Sequence, residues 1–81
     1  MFITAEISYY PLADDFENPV TEFIEHLQSI DKIEIKTGSM STLITGSYEQ
    51  VMEAINRSVK PLMMKHPSVF TLKISNACQR I

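Results

Sequence analysis

The feature that most constrains the fold is a short turn between two strand-like segments near the middle of the chain. Residues 32–37 and 40–46 both have strand character, and only Gly38 and Ser39 separate them. Two strands joined by so few residues lie side by side and antiparallel. Glycine at the first central position accepts the positive φ of a type II′ turn. The sequence therefore predicts a hairpin with a type II′ turn at Gly38 and Ser39.

One further strand is predicted on each side of this hairpin. Residues 2–10 alternate with period two and are rich in β-branched and aromatic side chains, which is typical of a strand with one apolar face. Pro11 is expected to end that strand, because proline cannot donate to a sheet ladder. Residues 68–75 alternate in the same way. They follow His66 and Pro67, where the proline favours an extended conformation in the residue before it.

Two helices are predicted to connect the strands. Asn18 and Pro19 have the form of a helix cap followed by proline at the first helical position, and this helix should stop near residues 29–31. Ser47 and Gln50 have the spacing of a capping box at the start of the second helix. Pro61 removes a backbone hydrogen bond, so we expect a kink or an early end there. The apolar side chains at helical spacing are Val20, Phe23, Ile24, Leu27 and Ile30 in the first helix and Val51, Met52, Ile55, Val59 and Leu62 in the second.

The order of elements is therefore strand, helix, strand, strand, helix, strand. Right-handed crossovers place both helices on one face of a four-stranded antiparallel sheet, with the first and third strands in the centre. We expect an α+β, ferredoxin-like βαββαβ sandwich. A chain of 81 residues is expected to form a single domain over residues 1–81.

Composition argues against several classes of function. The net charge of −3 provides no basic surface for nucleic acid. No apolar run approaches the roughly 18 residues that a membrane-spanning helix needs, and the N-terminus has no positively charged leader region. The lone cysteine, Cys78, rules out a disulfide framework and favours a reducing compartment. We expect a cytoplasmic protein that binds neither nucleic acid nor membrane.

Residues that usually carry catalysis are scarce in this chain. His26, His66 and Cys78 show no spacing typical of a metal site, and no nucleophile–base pair can be recognised. The two glycines do not form a phosphate-binding loop. We expect His26 to be a solvated surface residue and His66 a cation at the end of the second helix. The sequence predicts a protein that is not an enzyme and has no metal or cofactor.

The sheet face without helices has two interpretations. It is either a solvated surface or a contact for self-association, and a small core favours association, because a chain of this size buries only about 60% of its unfolded surface. Opposite charges on neighbouring strands can pair across this face. The residues expected there are Phe2, Thr4, Glu6, Ser8, Tyr10, Lys32, Glu34, Lys36, Val69, Thr71 and Lys73.

Four small hydroxyl side chains surround the predicted turn: Thr37, Ser39, Ser41 and Thr42. They can donate and accept hydrogen bonds without carrying charge, as a site for a neutral polar ligand requires. Strand and turn propensity alone also accounts for these residue types, and from the residues alone it is the simpler explanation. Upstream, Asp14, Asp15 and Glu17 form an acidic cluster that is either a solvated connector or an attractor for a cationic ligand.

Three segments resemble the YkoF-like thiamine-binding family. The run Ala5-Glu6-Ile7-Ser8-Tyr9-Tyr10-Pro11-Leu12 is similar to the opening strand of that family. The run Lys36-Thr37-Gly38-Ser39-Met40-Ser41-Thr42-Leu43-Ile44-Thr45-Gly46 is similar to its central hairpin. The run Tyr48-Glu49-Gln50-Val51-Met52-Glu53-Ala54-Ile55 is similar to its second helix. The resemblance extends from Ile3 to about Ile74.

The resemblance implies a non-catalytic protein of vitamin metabolism that binds thiamine or its hydroxymethylpyrimidine part. It also implies self-association as a homodimer or homotetramer. Carried over by position, the ligand-binding residues are Ser8, Tyr10, Thr37, Ser39, Ser41 and Thr42. Glu6, Asp14 and Glu34 are the candidates for a carboxylate near the cationic thiazolium.

Three other functions remain open at this point. The first is a regulatory module of the same fold that binds an amino acid or another metabolite. The second is a small enzyme of the dimeric α+β barrel type, which needs a catalytic histidine or carboxylate inside the barrel. The third is an oligomerisation domain without a ligand.

Overall fold

The computed structural model describes residues 1–12 and 17–77. Asp14, Asp15 and Cys78, on which some of the predictions rest, lie outside the described residues. The elements in chain order are β1 (Phe2–Pro11), α1 (Glu17–Gln28), β2 (Glu34–Thr37), β3 (Thr42–Ser47), α2 (Tyr48–Lys65) and β4 (Ser68–Ser75).

The strands form one antiparallel sheet in the order β2-β3-β1-β4. The predicted ferredoxin-like α+β fold is confirmed, with β1 and β3 in the centre of the sheet. Alternate residues of β1 point into the core, because successive side chains of a strand point to opposite faces. The buried apolar residues are Ile3, Ala5, Ile7, Phe23, Leu27, Ile44, Val51, Ala54, Ile55 and Leu62.

The β2–β3 connection differs from the predicted turn. Thr37 pairs with Thr42, so the loop contains the four residues 38–41, and the Gly38 N–H donates to the Ser41 carbonyl at 2.9 Å. Neither glycine of the chain has a positive φ, so the type II′ prediction is wrong. A Cβ at residue 38 would lie 3.2 Å from the Ser41 carbonyl oxygen. Close approach of the backbone, rather than a left-handed conformation, therefore favours Gly38.

The positive φ in this region belongs to Lys32, at 69°. A residue in this left-handed conformation cannot continue an extended strand. This explains why β2 begins at Glu34 and not at residue 32 as predicted. Lys32 was expected on the open face of the sheet, and it lies in the turn before β2 instead.

The helix boundaries confirm one cap and correct two predictions. Ser47 caps α2, and its Oγ accepts from the Gln50 N–H at 3.2 Å. The first helix begins at Glu17, so Asn18 lies inside the first turn rather than at the cap, and Pro19 remains at a tolerated position. The second helix continues through Pro61 to Lys65. Of the two alternatives predicted for Pro61, the early end is therefore wrong. The kink remains a prediction.

Candidate functional site

A pocket of about 300 Å³ opens where the end of β1, the first half of α1 and the β2–β3 loop meet. This volume is at the lower end of the range for small-molecule sites. Among the described residues, those that line the pocket carry no formal charge. They are Ile7, Tyr9, Tyr10, Val20, Phe23, Ile24 and residues 37–42.

One wall of the pocket is aromatic. Tyr9 stacks on Phe70, with the ring planes 1° apart and the centroids 4.3 Å apart. Phe23 meets these two rings edge to face, at centroid distances of 5.5 and 5.7 Å. Tyr9 and Phe23 line the pocket, and Phe70 supports Tyr9 by stacking on it. Rings in these arrangements attract one another beyond their simple burial, which stabilises the wall.

The register of the sheet decides which hydroxyls face this pocket. Thr42 pairs with Ile7 on one side and with Thr37 on the other. Directly paired residues share a face of the sheet, so both threonines lie on the helix-covered face with buried Ile7. Thr42 is only 6% exposed, whereas Thr37 is exposed at the rim. A register shifted by one residue would turn both hydroxyls to the other face.

The structure brings together five of the six side chains predicted to bind a ligand. Those that line the pocket are Tyr10, Thr37, Ser39, Ser41 and Thr42. Ser8 does not line the pocket; it pairs with Thr71 on the open face of the sheet. Tyr10 lies on the same face, but it is one residue before the end of β1, where the pocket opens.

One described carboxylate, that of Glu6, contacts the pocket loop from the open face of the sheet. Glu6 Oε2 accepts a hydrogen bond from Ser41 Oγ at 3.0 Å, and Glu6 Oε1 lies 3.9 Å from Lys73 Nζ. Ser41 therefore connects a lining position to a charged group behind the loop. Glu34 is exposed on β2 and does not line the pocket.

A second, shallower depression of about 210 Å³ lies on α1 and is lined by Glu22, Glu25, His26 and Ser29. Lys65 Nζ donates to Glu22 Oε2 at 2.5 Å, and His26 Nε2 lies 3.6 Å from the same oxygen. The hydrogen bond from Lys65 is the main reason why the pKa of Glu22 lies below its ordinary value. This cluster links the end of α2 to α1, which is a structural role.

Sequence reasoning missed the partner of Tyr9. The Tyr9 hydroxyl is hydrogen-bonded to His66 Nε2 at 2.8 Å, whereas His66 was predicted only as a cation at the end of the second helix. Met40 was also missed, although it lines the pocket and is 83% exposed. No local sequence pattern predicts the bond between Tyr9 and His66 or the position of Met40. The α1 residues of the pocket, by contrast, belong to the predicted apolar stripe, whose end faces the end of β1.

Comparison with protein families places this arrangement in a known group. The profile of a family described as thiamine-binding protein matches residues 5–77. The chain belongs to this thiamine-binding protein family. The family assignment drawn from the three segments of the sequence is therefore confirmed.

Solved structures share the fold of this thiamine-binding family member at low identity. A protein from Streptococcus pneumoniae has a TM-score of 0.88 at 15% identity, covering 96% of this chain and 89% of that chain. A proposed thiamine biosynthesis/salvage protein from Thermotoga maritima has a TM-score of 0.82 at 20% identity, covering 93% and 83%. A domain of unknown function from Bacillus cereus has a TM-score of 0.82 at 18% identity, covering 100% and 83%. No curated protein matches the chain at a significant level.

Residues 1–12 and 17–77 contain no cluster of three or more histidine, cysteine or acidic side chains that could hold a metal ion. In the same part of the chain, no helix combines the length and apolar character needed to cross a membrane.

Proposed function

We propose that this protein binds thiamine, or its hydroxymethylpyrimidine part, in the pocket between β1, α1 and the β2–β3 loop, and that it does so without catalysis. One observation carries the proposal. In a member of the thiamine-binding family, an aromatic wall and an uncharged hydroxyl edge meet in one pocket.

The chemistry of an aminopyrimidine suits this combination. Its ring faces are flat and apolar, and they pack well against aromatic side chains such as Tyr9 and Phe23. Its edge carries neutral donors and acceptors, which threonine and serine hydroxyls can satisfy in either role. Thr42 is the buried hydroxyl of the set. Because water reaches it least, a hydrogen bond from a ligand to Thr42 should contribute more binding free energy than one to an exposed hydroxyl.

The positive charge of the thiazolium requires a separate contribution. Of the two predicted candidates that the structure describes, Glu6 and Glu34, it is Glu6 that forms a hydrogen bond with a lining residue, Ser41. We propose that Glu6 supports the cation from behind the loop. On this basis thiamine binds more tightly than the isolated pyrimidine, and Glu6→Gln reduces that difference while leaving pyrimidine affinity nearly unchanged.

The direct test is calorimetric titration of the purified protein with thiamine, with the hydroxymethylpyrimidine and with an amino-acid mixture. Thr42→Val removes the hydroxyl at nearly constant volume and should weaken binding about three- to tenfold, the range expected for one net hydrogen bond. Thr71→Val, on the open face of β4, is the matched control and should bind like the wild type.

Other outcomes of the titration select other functions. Binding of an amino acid without binding of thiamine or the pyrimidine would favour a regulatory module of the same fold. Absence of binding to all three would leave an oligomerisation domain as the best account. Equal affinity of Thr42→Val and the wild type would place the site away from this pocket.

The proposal includes self-association as a homodimer or homotetramer in the cytoplasm, where the protein would act as a carrier or sensor in vitamin metabolism. The open face of the sheet supports it, because three large apolar side chains are exposed there: Phe2 at 60%, Tyr10 at 48% and Val69 at 47%. Tyr10 and Val69 are paired across β1 and β4, so two of the three form one patch.

A further inference from the structure

We infer that His66 is a positioning residue for the pocket, and that it acts by fixing the ring of Tyr9. The inference rests on the proposed function, because it gives His66 a part in ligand binding. Its basis is the hydrogen bond between the Tyr9 hydroxyl and His66 Nε2, which is 2.8 Å long and partly buried. The two residues are 57 positions apart in sequence, so the bond joins separate elements.

Tyr9 is the only aromatic residue among the described ones that both lines the pocket and stacks face to face on another ring. Phe70 holds one face of the Tyr9 ring, and Phe23 approaches it edge on. Ring packing attracts Tyr9 to its neighbours, but it makes no contact with the hydroxyl at the end of the side chain. A hydrogen bond is directional, so the bond to His66 adds a restraint at that hydroxyl. His66 supplies this bond from outside the set of lining residues.

Both backbone polar groups of His66 are hydrogen-bonded, which restrains the position from which its imidazole extends. Its N–H donates to the Leu62 carbonyl at 3.2 Å, and its carbonyl accepts from Ser68 Oγ at 3.1 Å. Pro67 restricts His66 to an extended conformation, as its φ of −161° and ψ of 159° show. The Pro67 carbonyl in turn accepts from the Leu12 N–H at 3.0 Å.

These contacts anchor the end of α2 and the start of β4 to the end of β1, beside the pocket. His66 does not line the pocket, but it can fix the position of Tyr9, which does. The Tyr9 hydroxyl and an imidazole nitrogen can each donate or accept, depending on the tautomer. Glutamine offers the same two roles, so His66→Gln can preserve the bond whereas His66→Leu cannot.

The test compares four variants and one control variant by titration with thiamine and with the hydroxymethylpyrimidine. His66→Leu and Tyr9→Phe should each weaken binding about three- to tenfold, in keeping with loss of one net hydrogen bond. The double variant should be no weaker than the weaker single variant, because both changes remove the same interaction. His66→Gln should recover most of the affinity. His26→Leu, which changes the other histidine, is the matched control and should bind like the wild type.

A second measurement decides the inference without a ligand. The ring protons of Tyr9 should show strong ring-current shifts in the NMR spectrum, because Phe70 stacks on the ring at 4.3 Å. His66→Leu should move these resonances towards ordinary tyrosine positions, and His66→Gln should not. Tyr9→Phe identifies the resonances among the three tyrosines. Circular dichroism confirms that each variant remains folded.

The inference fails if His66→Leu leaves the Tyr9 resonances unchanged, or if the losses of the two single variants add in the double variant. Absence of binding by the wild type would refute the proposed function, and with it the part of His66 in binding. The NMR measurement would still show whether His66 positions Tyr9. If His66→Leu does not fold, Tyr9→Phe and His66→Gln still compare loss of the hydrogen bond with its retention. Tyr9→Phe keeps the ring but removes the hydroxyl, and His66→Gln keeps a side-chain amide that can form the bond.

Discussion

Ser58 is a buried residue whose side chain has no hydrogen-bond partner among the described residues. It lies in α2, is 0% exposed, and its Oγ makes no hydrogen bond there. A buried hydroxyl without a partner costs about 1–3 kcal/mol of desolvation free energy. Alanine at the same position removes that cost and is also the better helix former.

We therefore expect Ser58→Ala to raise the free energy of unfolding by up to about 2 kcal/mol, measured by urea or thermal denaturation. Asn56→Ala, at an exposed position of α2, is the control for helix propensity and should give the smaller gain. A loss of stability in Ser58→Ala would show that the hydroxyl has a partner after all.

Single residues also show what could be read from the sequence. The alternation of Ile3, Ala5 and Ile7, and the cap at Ser47, are local signals, and the structure confirms both. The assembly of hydroxyls around the pocket depends on strand register, which no local pattern determines. The bond between Tyr9 and His66 is harder still to predict, because it requires both the register and the position of the end of α2.

The elements show a similar division. Order and type of all six elements follow from hydrophobic periodicity and are confirmed. The predicted element boundaries are wrong where the backbone is irregular. The β2–β3 loop has four residues rather than two, and a close backbone contact favours its glycine, not a positive φ. Pro61 did not end α2, since packing of the helix against the sheet can outweigh the loss of one hydrogen bond.

The two helices are linked by the ion pair between Lys65 of α2 and Glu22 of α1. Because the pKa of Glu22 is lowered from its ordinary value of 4.5, the folded state binds fewer protons than the unfolded state in acid. The stabilisation is therefore present above about pH 4.5 and is lost as pH falls through the lowered pKa. Both side chains are partly exposed, so the contribution is small, below about 1 kcal/mol.

We expect Glu22→Gln to lower the free energy of unfolding slightly at pH 7, by less than about 1 kcal/mol. The difference from the wild type should shrink as the pH falls through the lowered pKa of Glu22, and it should also shrink in high salt. Denaturation curves at several pH values measure it, with Glu25→Gln on the same helix as the control. A difference that does not shrink as the pH is lowered would mean that the effect is one of packing rather than charge.

At the scale of the whole molecule, the two faces of the sheet have different chemistry. The helix-covered face holds the core and the pocket. The open face combines a charged cross-strand pair, Glu6 and Lys73, with the exposed apolar patch of Tyr10 and Val69. Glu6 also bonds to Ser41 of the pocket loop, so a partner seated on the open face would alter the surroundings of a group that contacts the pocket. Association and ligand affinity are expected to depend on each other for this reason.

The prediction for self-association concerns this open face. Val69→Lys places a charge in the apolar patch and should shift the protein from oligomer towards the 9.2 kDa monomer in sedimentation velocity, because a charge buried in an interface without a partner is strongly unfavourable. Met64→Lys is the matched control. Met64 is 77% exposed and lies on α2, away from the open face, so this variant should sediment like the wild type.

Two results would count against association through this face. A wild-type protein that sediments as a monomer at about 100 µM, a concentration at which contacts worth more than about 5.5 kcal/mol are populated, would remove the homo-oligomer from the proposal. Dissociation of Met64→Lys but not of Val69→Lys would move the contact to the helix side. If Val69→Lys dissociates and also binds thiamine more weakly, a link between association and ligand binding would be supported. That link could run through Tyr10, which pairs with Val69 and lines the pocket, or through Glu6 and Ser41.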